Sequence, residues 1–297
     1  QQDLDIPRLE TAWNCLIQRH DMLRAVILPT GQQQILEDVP HYVLTVVDLR
    51  KTLSQRRQQT LEVVRRTLAN QLFQTDQWPL FEIRLLRLPN GLSRLCFSVD
   101  LLIADVQSLM QLFQEWGQQY ANPDERPQPL SVSFRDYLLA EQDLRQTAAW
   151  EKARDYWRQR VAVMAPPPEL PLQVAPASIE QPTFVRYEHF LSANDWQRLQ
   201  QQAASLGVTP SMVLCSIYAH VLAAWSREPQ FTLNLTLFNR WPLHPQVNEL
   251  LGDFTAVTLL DYHGGEQAFV DQVKNLQQRL LDNLEHRLVG GIDVLRE

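Results

Sequence analysis

Two aspartates five positions apart, Asp100 and Asp105, with Ser108 three residues further on, are the side chains in this sequence best placed to do chemistry. They fall where an apolar strand, 92–99, feeds a helix running from about residue 106 to residue 120, a junction that commonly projects side chains into a cleft. Two close carboxylates repel one another when both are ionised, so one of them can be held protonated and serve as an acid. A plainer reading stands beside this one. Asp105 immediately precedes an amphipathic helix and suits an N-cap, a role worth about 1 kcal/mol. Ser108 would then complete a weakened capping box, and Asp100 would be a turn residue at a strand end. Spacing alone leaves both open and leans toward capping.

Other chemistries find little support. The sequence contains no P-loop, GxSxG, HExxH or GxGxxG. Its seven histidines show no metal-ligand spacing, and Cys15, Cys96 and Cys215 lie far apart without a CxxC. Neither a metal site nor a disulfide framework is expected. Acidic and basic residues are mixed along the chain, for a net charge of -7, and no basic stripe marks a nucleic-acid binder. The most apolar stretch, 212–225, is interrupted by Ser216 and His220 and falls short of the roughly 20 residues that span a bilayer. No nucleic acid and no membrane are expected as partners, and the chain reads as soluble and cytoplasmic. Gln1 stands in place of a Met, and Arg296-Glu297 falls inside what reads as continuing structure, so the chain reads as a fragment.

The elements that must position the two acids follow from periodicity. Leu9, Trp13, Leu16 and Ile17 share one helical face, and Arg19-His20-Asp21 end that helix. A strand is expected over 23–28, with a turn at Pro29-Thr30-Gly31. Leu61, Val64, Leu68 and Leu72 repeat at helical spacing. Phe81, Ile83 and Leu85 alternate with polar neighbours as a half-buried strand does, and Pro89-Asn90-Gly91 turns the chain back into strand 92–99. Residues 134–160 read as one helix, with Trp150 and Trp157 on one face. Six prolines between residues 165 and 182 exclude a helix or a central strand there, which marks an inter-lobe linker. Beyond it come a strand at 183–191, a helix capped by Asn194 and stopped at Gly207, and a buried helix from Thr209 to Trp225. Strands at 231–238 and 255–262 and a long helix at 266–288 complete the pattern. The expected class is mixed α/β in two lobes, residues 1–165 and 183–297, joined by 166–182.

Asp100-x4-Asp105-x2-Ser108 resembles the DxxxxDxxS signature of heterocyclization domains, a variant of the condensation domains of non-ribosomal peptide synthetases. Six further segments agree in order. They are Arg19 to Arg24 (RHDMLR), the proline-rich PPPELPL at 166–172, the apolar helix 209–226, Asn234 to Arg240, Gly252-Asp253-Phe254-Thr255, and residues 286–297. The resemblance covers essentially the whole chain. It implies two chloramphenicol-acetyltransferase-like lobes in a V, with a substrate tunnel between them.

It also implies a reaction. Ordinary condensing relatives carry HHxxxDG at this junction. In register with that motif, Asp100 takes the first His position, Leu101 the second and Asp105 the Asp. Leucine accepts no proton, so the second histidine's chemistry is lost. Members of the family transfer an acyl group from one carrier domain to the amine of a Cys, Ser or Thr on another. They then close the side chain onto the new amide and expel water, giving thiazoline or oxazoline. Both substrates arrive on phosphopantetheine arms of upstream and downstream carrier domains, beside an adenylation domain, so no cofactor is bound directly.

For the residues, the resemblance implies Asp100 and Asp105 as required acids, with Asp105 paired to an arginine, for which Arg24 is the candidate. Asn234 enters from the second lobe as an amide that could hold the reacting carbonyl, or that merely satisfies a sheet edge. Ser108 and Arg240 are supporting residues, one at a helix start and one as an ion-pair partner. Family blocks that carry a Thr and an Asp associated with cyclodehydration lie beyond Glu297. The alternatives kept open are a domain that only forms the amide and a non-catalytic docking platform.

Overall fold

The computed structural model describes residues 4–180, 185–265 and 267–296. Asp5 caps the first helix, α1 (Ile6–Arg19), by accepting the Arg8 N–H, and α1 buries the expected face of Leu9, Trp13, Leu16 and Ile17. The expected strand at 23–28 shortens to β1 (Ala25–Ile27), because residues 21–24 coil into a single tight turn. β1 pairs antiparallel with β2 (Gln33–Ile35). Next come β3 (Thr45–Asp48) and α2 (Ser54–Ala69), which ends early enough to leave Leu72 94 % exposed rather than on the buried face.

β4 (Phe81–Arg87) lies between β3 and β5 (Ser93–Val99). It runs parallel to β3, across the α2 crossover, and antiparallel to β5. The hairpin turn holds Asn90 and Gly91 at φ 62° and 69°, a left-handed region that Asn and Gly tolerate better than other residues. α3 (Val106–Ala121) follows β5 directly. The single helix expected over 134–160 is two, α4 (Phe134–Leu144) and α5 (Ala148–Val161), because the Thr147 hydroxyl accepts the Trp150 N–H and starts a new helix.

Residues 166–175 form neither helix nor strand, as their prolines dictate, but they are not a free connector. The Ala165 and Pro166 carbonyls accept from the Thr232 hydroxyl and N–H, and Glu169 O accepts from Arg227 N. The expected strand at 183–191 is not formed over 185–191, and 183–184 lie outside the described residues. α6 (Ala193–Ser205) is capped by Ser192, whose hydroxyl accepts the Asp195 N–H, and not by Asn194. α7 (Pro210–Trp225), expected to be buried, buries Met212, Val213, Ser216 and Ala219 but exposes Ile217, Tyr218, Val221 and Trp225. β6 (Gln230–Phe238) and β7 (Thr255–His263) pair as a two-stranded sheet. α8 (Phe269–Glu285) is shorter than the helix expected over 266–288, of which residue 266 lies outside the described set, and α9 (Gly291–Arg296) closes the chain.

Contacts divide the chain into two compact units, Gln1–Glu141 with Phe238–Thr255, and Gln142–Leu237 with Ala256–Glu297. This differs from a cut at 166–182. α5 packs Trp157 with Leu259 of β7 in the second unit, while the segment after β6 returns to the first. Trp13 sits at the centre of the first unit, fully buried, edge-on to Phe81 at 5.3 Å and 4.8 Å from Trp116. The second unit's core gathers Met212, Phe231, Leu260, Tyr262 and Leu276. No single helix among the described residues is long and apolar enough to cross a membrane. Trp13→Ala should lower unfolding free energy by about 3–5 kcal/mol, read from the denaturant midpoint; an unchanged midpoint would contradict this account of the core.

Candidate functional site

β5 delivers Asp100 to the junction with its backbone still paired: Asp100 N donates to Leu80 O at 2.9 Å. A turn follows, closed by Ile103 N on Asp100 O at 3.2 Å. Asp100 Oδ1 accepts the Leu102 N–H at 3.0 Å, which fixes the direction of a half-buried carboxylate. The turn then alternates sharply, with Leu101 and Leu102 exposed and Ile103 and Ala104 buried.

Asp105 is the N-cap of α3, so the plainer reading of its position is realised: Oδ1 accepts the Ser108 N–H at 2.6 Å. Capping accounts for part of its contacts. The same oxygen accepts Arg240 Nη2 at 3.2 Å, in an ion pair whose side chains are 0 % and 4 % exposed. Arg240 Nη2 also donates to Ser108 Oγ at 2.8 Å, and Nη1 donates to the Val247 and Leu250 carbonyls at 3.0 and 2.8 Å. The guanidinium lies over the Phe254 ring, 3.8 Å from its centre. Burial pulls the Arg240 pKa down, and the Asp105 charge opposes that fall.

Ser108 has its full hydrogen-bonding capacity engaged. Its hydroxyl donates to Gly252 O at 3.0 Å and accepts from Gly252 N at 3.2 Å and from Arg240. Gly252 O also accepts the Asp105 N–H at 2.9 Å. A Cβ at Gly252 would lie 2.3 Å from the Phe134 ring, so only glycine fits between that ring and α3. The motif of Asp105 and Ser108 and the distant Gly252-Asp253-Phe254 segment are thus two halves of one lock.

Arg24 is not Asp105's partner. It lies in the tight turn at 21–24, where Nη2 pairs with Asp21 at 2.8 Å and the remaining donors go to the Ile17, Leu36 and Glu37 carbonyls. A carboxylate three residues away in the same turn captures this guanidinium before any distant acid can. Asn234 lies on β6, in the second unit, exposed on the same face as Thr236. Its amide makes no hydrogen bond among the described residues, so the sheet-edge reading finds no partner there.

Sequence reasoning missed Tyr137. Its hydroxyl donates to Asn239 O at 3.0 Å and accepts from Trp241 N at 3.1 Å, gripping the backbone on either side of Arg240. Burial pushes its pKa up to about 12, so it stays a neutral donor. Nothing in local spacing signals this, because the contact joins residues more than 100 apart. Asp253 is exposed and accepts the Thr255 N–H at 3.0 Å. Among the described residues no group of three or more His, Cys, Asp or Glu could hold a metal ion.

A family model described as the condensation domain matches residues 1–295. Bacitracin synthase 1 of Bacillus licheniformis is 37% identical over 298 residues, covering 100% of this chain and 6% of that protein. Pyochelin synthetase PchF of Pseudomonas aeruginosa is 38% identical over 300 residues, covering 99% of this chain and 16% of that protein. In a crystal structure of the EpoB cyclization-docking bidomain from Sorangium cellulosum, 36% identical, a TM-score of 0.86 covers 96% of this chain and 58% of that one. The chain therefore spans a small part of those synthetases and somewhat over half of the solved bidomain.

Breaking a buried ion pair from one side leaves a charge without compensation. Asp105→Ala should cost about 3–5 kcal/mol of stability, and Arg240→Met added to it should recover part of that loss. Denaturant titration of the two single variants and the double variant reads the coupling; strict additivity would remove the pair from this account.

Proposed function

The chain belongs to the condensation-domain family, in its heterocyclizing branch, and from that premise we propose that it joins and cyclizes carrier-bound substrates. The acyl donor and an acceptor Cys, Ser or Thr each arrive as a thioester on a phosphopantetheine arm. The acceptor amine attacks the donor thioester, forming the amide and releasing the donor carrier's thiol. The acceptor's side-chain nucleophile then adds to the new carbonyl, and loss of water leaves a thiazoline or oxazoline. Holding two tethered reactants together supplies much of the acceleration, since effective molarities in well-oriented reactions reach about 10⁵ M or more.

The observation that carries this reading is the division of labour at the junction. Asp105 is locked by Arg240 and Ser108, while Asp100 keeps a half-buried carboxylate with one oxygen fixed by Leu102 N. Leu101, where ordinary condensing relatives carry a histidine, offers no proton acceptor. Asp100 is therefore the group assigned to meet the substrate, Asp105 the acid that holds the turn, and Asn234 a hydrogen-bond donor to the reacting carbonyl. The partners are upstream and downstream carrier domains and an adenylation domain of the same polypeptide. Two chloramphenicol-acetyltransferase-like lobes in a V, with a tunnel between, belong to this proposal on the strength of the family likeness, as do lobe limits at 1–165 and 183–297.

The test is a reconstituted assay in the intact synthetase with both carriers loaded, read by mass spectrometry for amide formation and for loss of water. Asp100→Asn should lower product formation by about 10²-fold or more, the usual scale for losing a proton-transfer group. Product at the unmutated rate would overturn the assignment, and amide without water loss from the unmutated protein would make it a condensing domain only.

A further inference from the structure

The segment 247–252 has an unusual way of satisfying its backbone. No strand neighbour pairs with it; side chains take up four of its carbonyls, two of them shared with a backbone N–H: Arg240 binds Val247 O and Leu250 O, Gln111 Nε2 binds Glu249 O at 2.7 Å, and Ser108 binds Gly252 O. Its position is therefore dictated by whatever holds those side chains. Arg240 and Ser108 belong to the lock at the start of α3. Gln111 belongs to a second cluster, one to two turns further along the same helix.

That cluster is built from the Arg19-His20 pair at the end of α1. His20, 1 % exposed, places Nε2 2.7 Å from Glu115 Oε2. Arg19 Nε approaches the same oxygen at 3.5 Å, and Nη2 donates to Glu249 Oε2 at 2.7 Å. Gln111 Nε2 donates to Glu115 Oε1 at 2.8 Å as well as to Glu249 O. Arg19 Nη1 donates to Gln128 O at 2.9 Å, so its guanidinium is engaged on three sides. Burial pushes the Glu115 pKa up, but the hydrogen bond and charge of His20, with Gln111 and Arg19, outweigh it and hold the carboxyl below its usual range. Glu115 is thus an anion held by Arg19, His20 and Gln111.

We infer that Arg19, His20, Gln111 and Glu115 form a second anchor that sets the 249–252 segment against α3 and so positions the Asp105–Ser108–Gly252 lock beneath Asp100. The inference rests on the proposed reading of that junction as the reaction centre. Glu249 is gripped at its carboxylate from α1 and at its carbonyl from α3, three residues before Gly252. Leu250 and Leu251 are buried between the two anchors, so a shift at one end is carried to the other. Glu115 and Gln111 are positioning residues in this account; neither touches substrate.

A displacement of about 1 Å in a catalytic frame costs up to roughly 10²-fold in rate. In the intact synthetase, Glu115→Gln keeps the side chain's shape and removes the charge that pairs with Arg19. It should lower kcat by about tenfold or more with KM for both loaded carriers unchanged, after correction for folded fraction. Leu68→Ala, a truncation in the separate α2 core, serves as the control for lost stability and should keep kcat per folded molecule. Gln111→Ala, which removes the hydrogen bonds to the Glu249 carbonyl and to Glu115 while Arg19 keeps its ion pairs, should lower kcat in the same direction and carries the test if Glu115→Gln fails to fold. An unchanged kcat in the folded variants, while Asp105→Asn and Arg240→Lys are inactive, would overturn the second anchor alone. Full activity in Asp105→Asn and Arg240→Lys as well would show that the junction itself had been misread.

Discussion

A guanidinium and a carboxylate withdrawn from water are a poor way to stabilise a protein, because desolvation consumes most of what their attraction returns. The Arg240–Asp105 pair is offset on the arginine side, where two carbonyls, a hydroxyl and a carboxylate oxygen take up the Nη1 and Nη2 donors and the Phe254 ring lies against its face, while Arg240 Nε and Asp105 Oδ2 stay buried without a hydrogen bond. What the arrangement supplies is geometry. A single planar group fixes the start of α3, the residues after β6 and the loop before β7 in one relative position, which an apolar contact of equal strength would leave free to slide.

From that constraint the rest of the junction follows. The turn between β5 and α3 is tied at its first residue to Leu80 and at its last to Gly252, with Ile103 and Ala104 plugged into the core between them. A turn fixed at both ends and in the middle has little freedom left. Leu101 and Leu102 are left exposed, and Asp100 half-buried, on the side away from that pair. The glycine at 252 is a consequence of the same closeness, since the Phe134 ring occupies the space any side chain would need.

Much of this was legible in the sequence, and the limits have physical reasons. Alternation in 81–85 and the Asn90-Gly91 turn announced the β4–β5 hairpin, and Asp105 was readable as a cap because capping is local. The arginine that completes Asp105 was not readable. Arg24 and Arg240 both lie in segments resembling family blocks, and only the fold reveals that Asp21 pairs with the first while the second lies against the acid. Local competition also explains the misplaced caps. The Ser192 hydroxyl, two positions before Asn194, takes the cap, and Thr147 interrupts a helix whose apolar spacing continues through it. The apolar content of α7 points to a buried helix, whereas the exposure of Ile217, Tyr218, Val221 and Trp225 depends on what packs against that face. The compact units escape a linear reading altogether, because the chain returns to the first unit after β6 through the very arginine that was hard to assign.

On the proposed reading, the junction also limits which step it serves. Amide formation moves one proton in net, from the attacking amine to the departing thiolate, and a single carboxylate with one free oxygen is suited to relay it. Ring closure and dehydration ask for more: a proton must leave the side-chain nucleophile, another must leave nitrogen, and the carbonyl oxygen must depart as water. Asp105 cannot join in, because its carboxyl is sealed beneath Arg240 and the helix start. Leu101 has no proton to give. The inventory at the junction therefore matches the condensing step. Dehydration then calls on proton donors and acceptors besides Asp100.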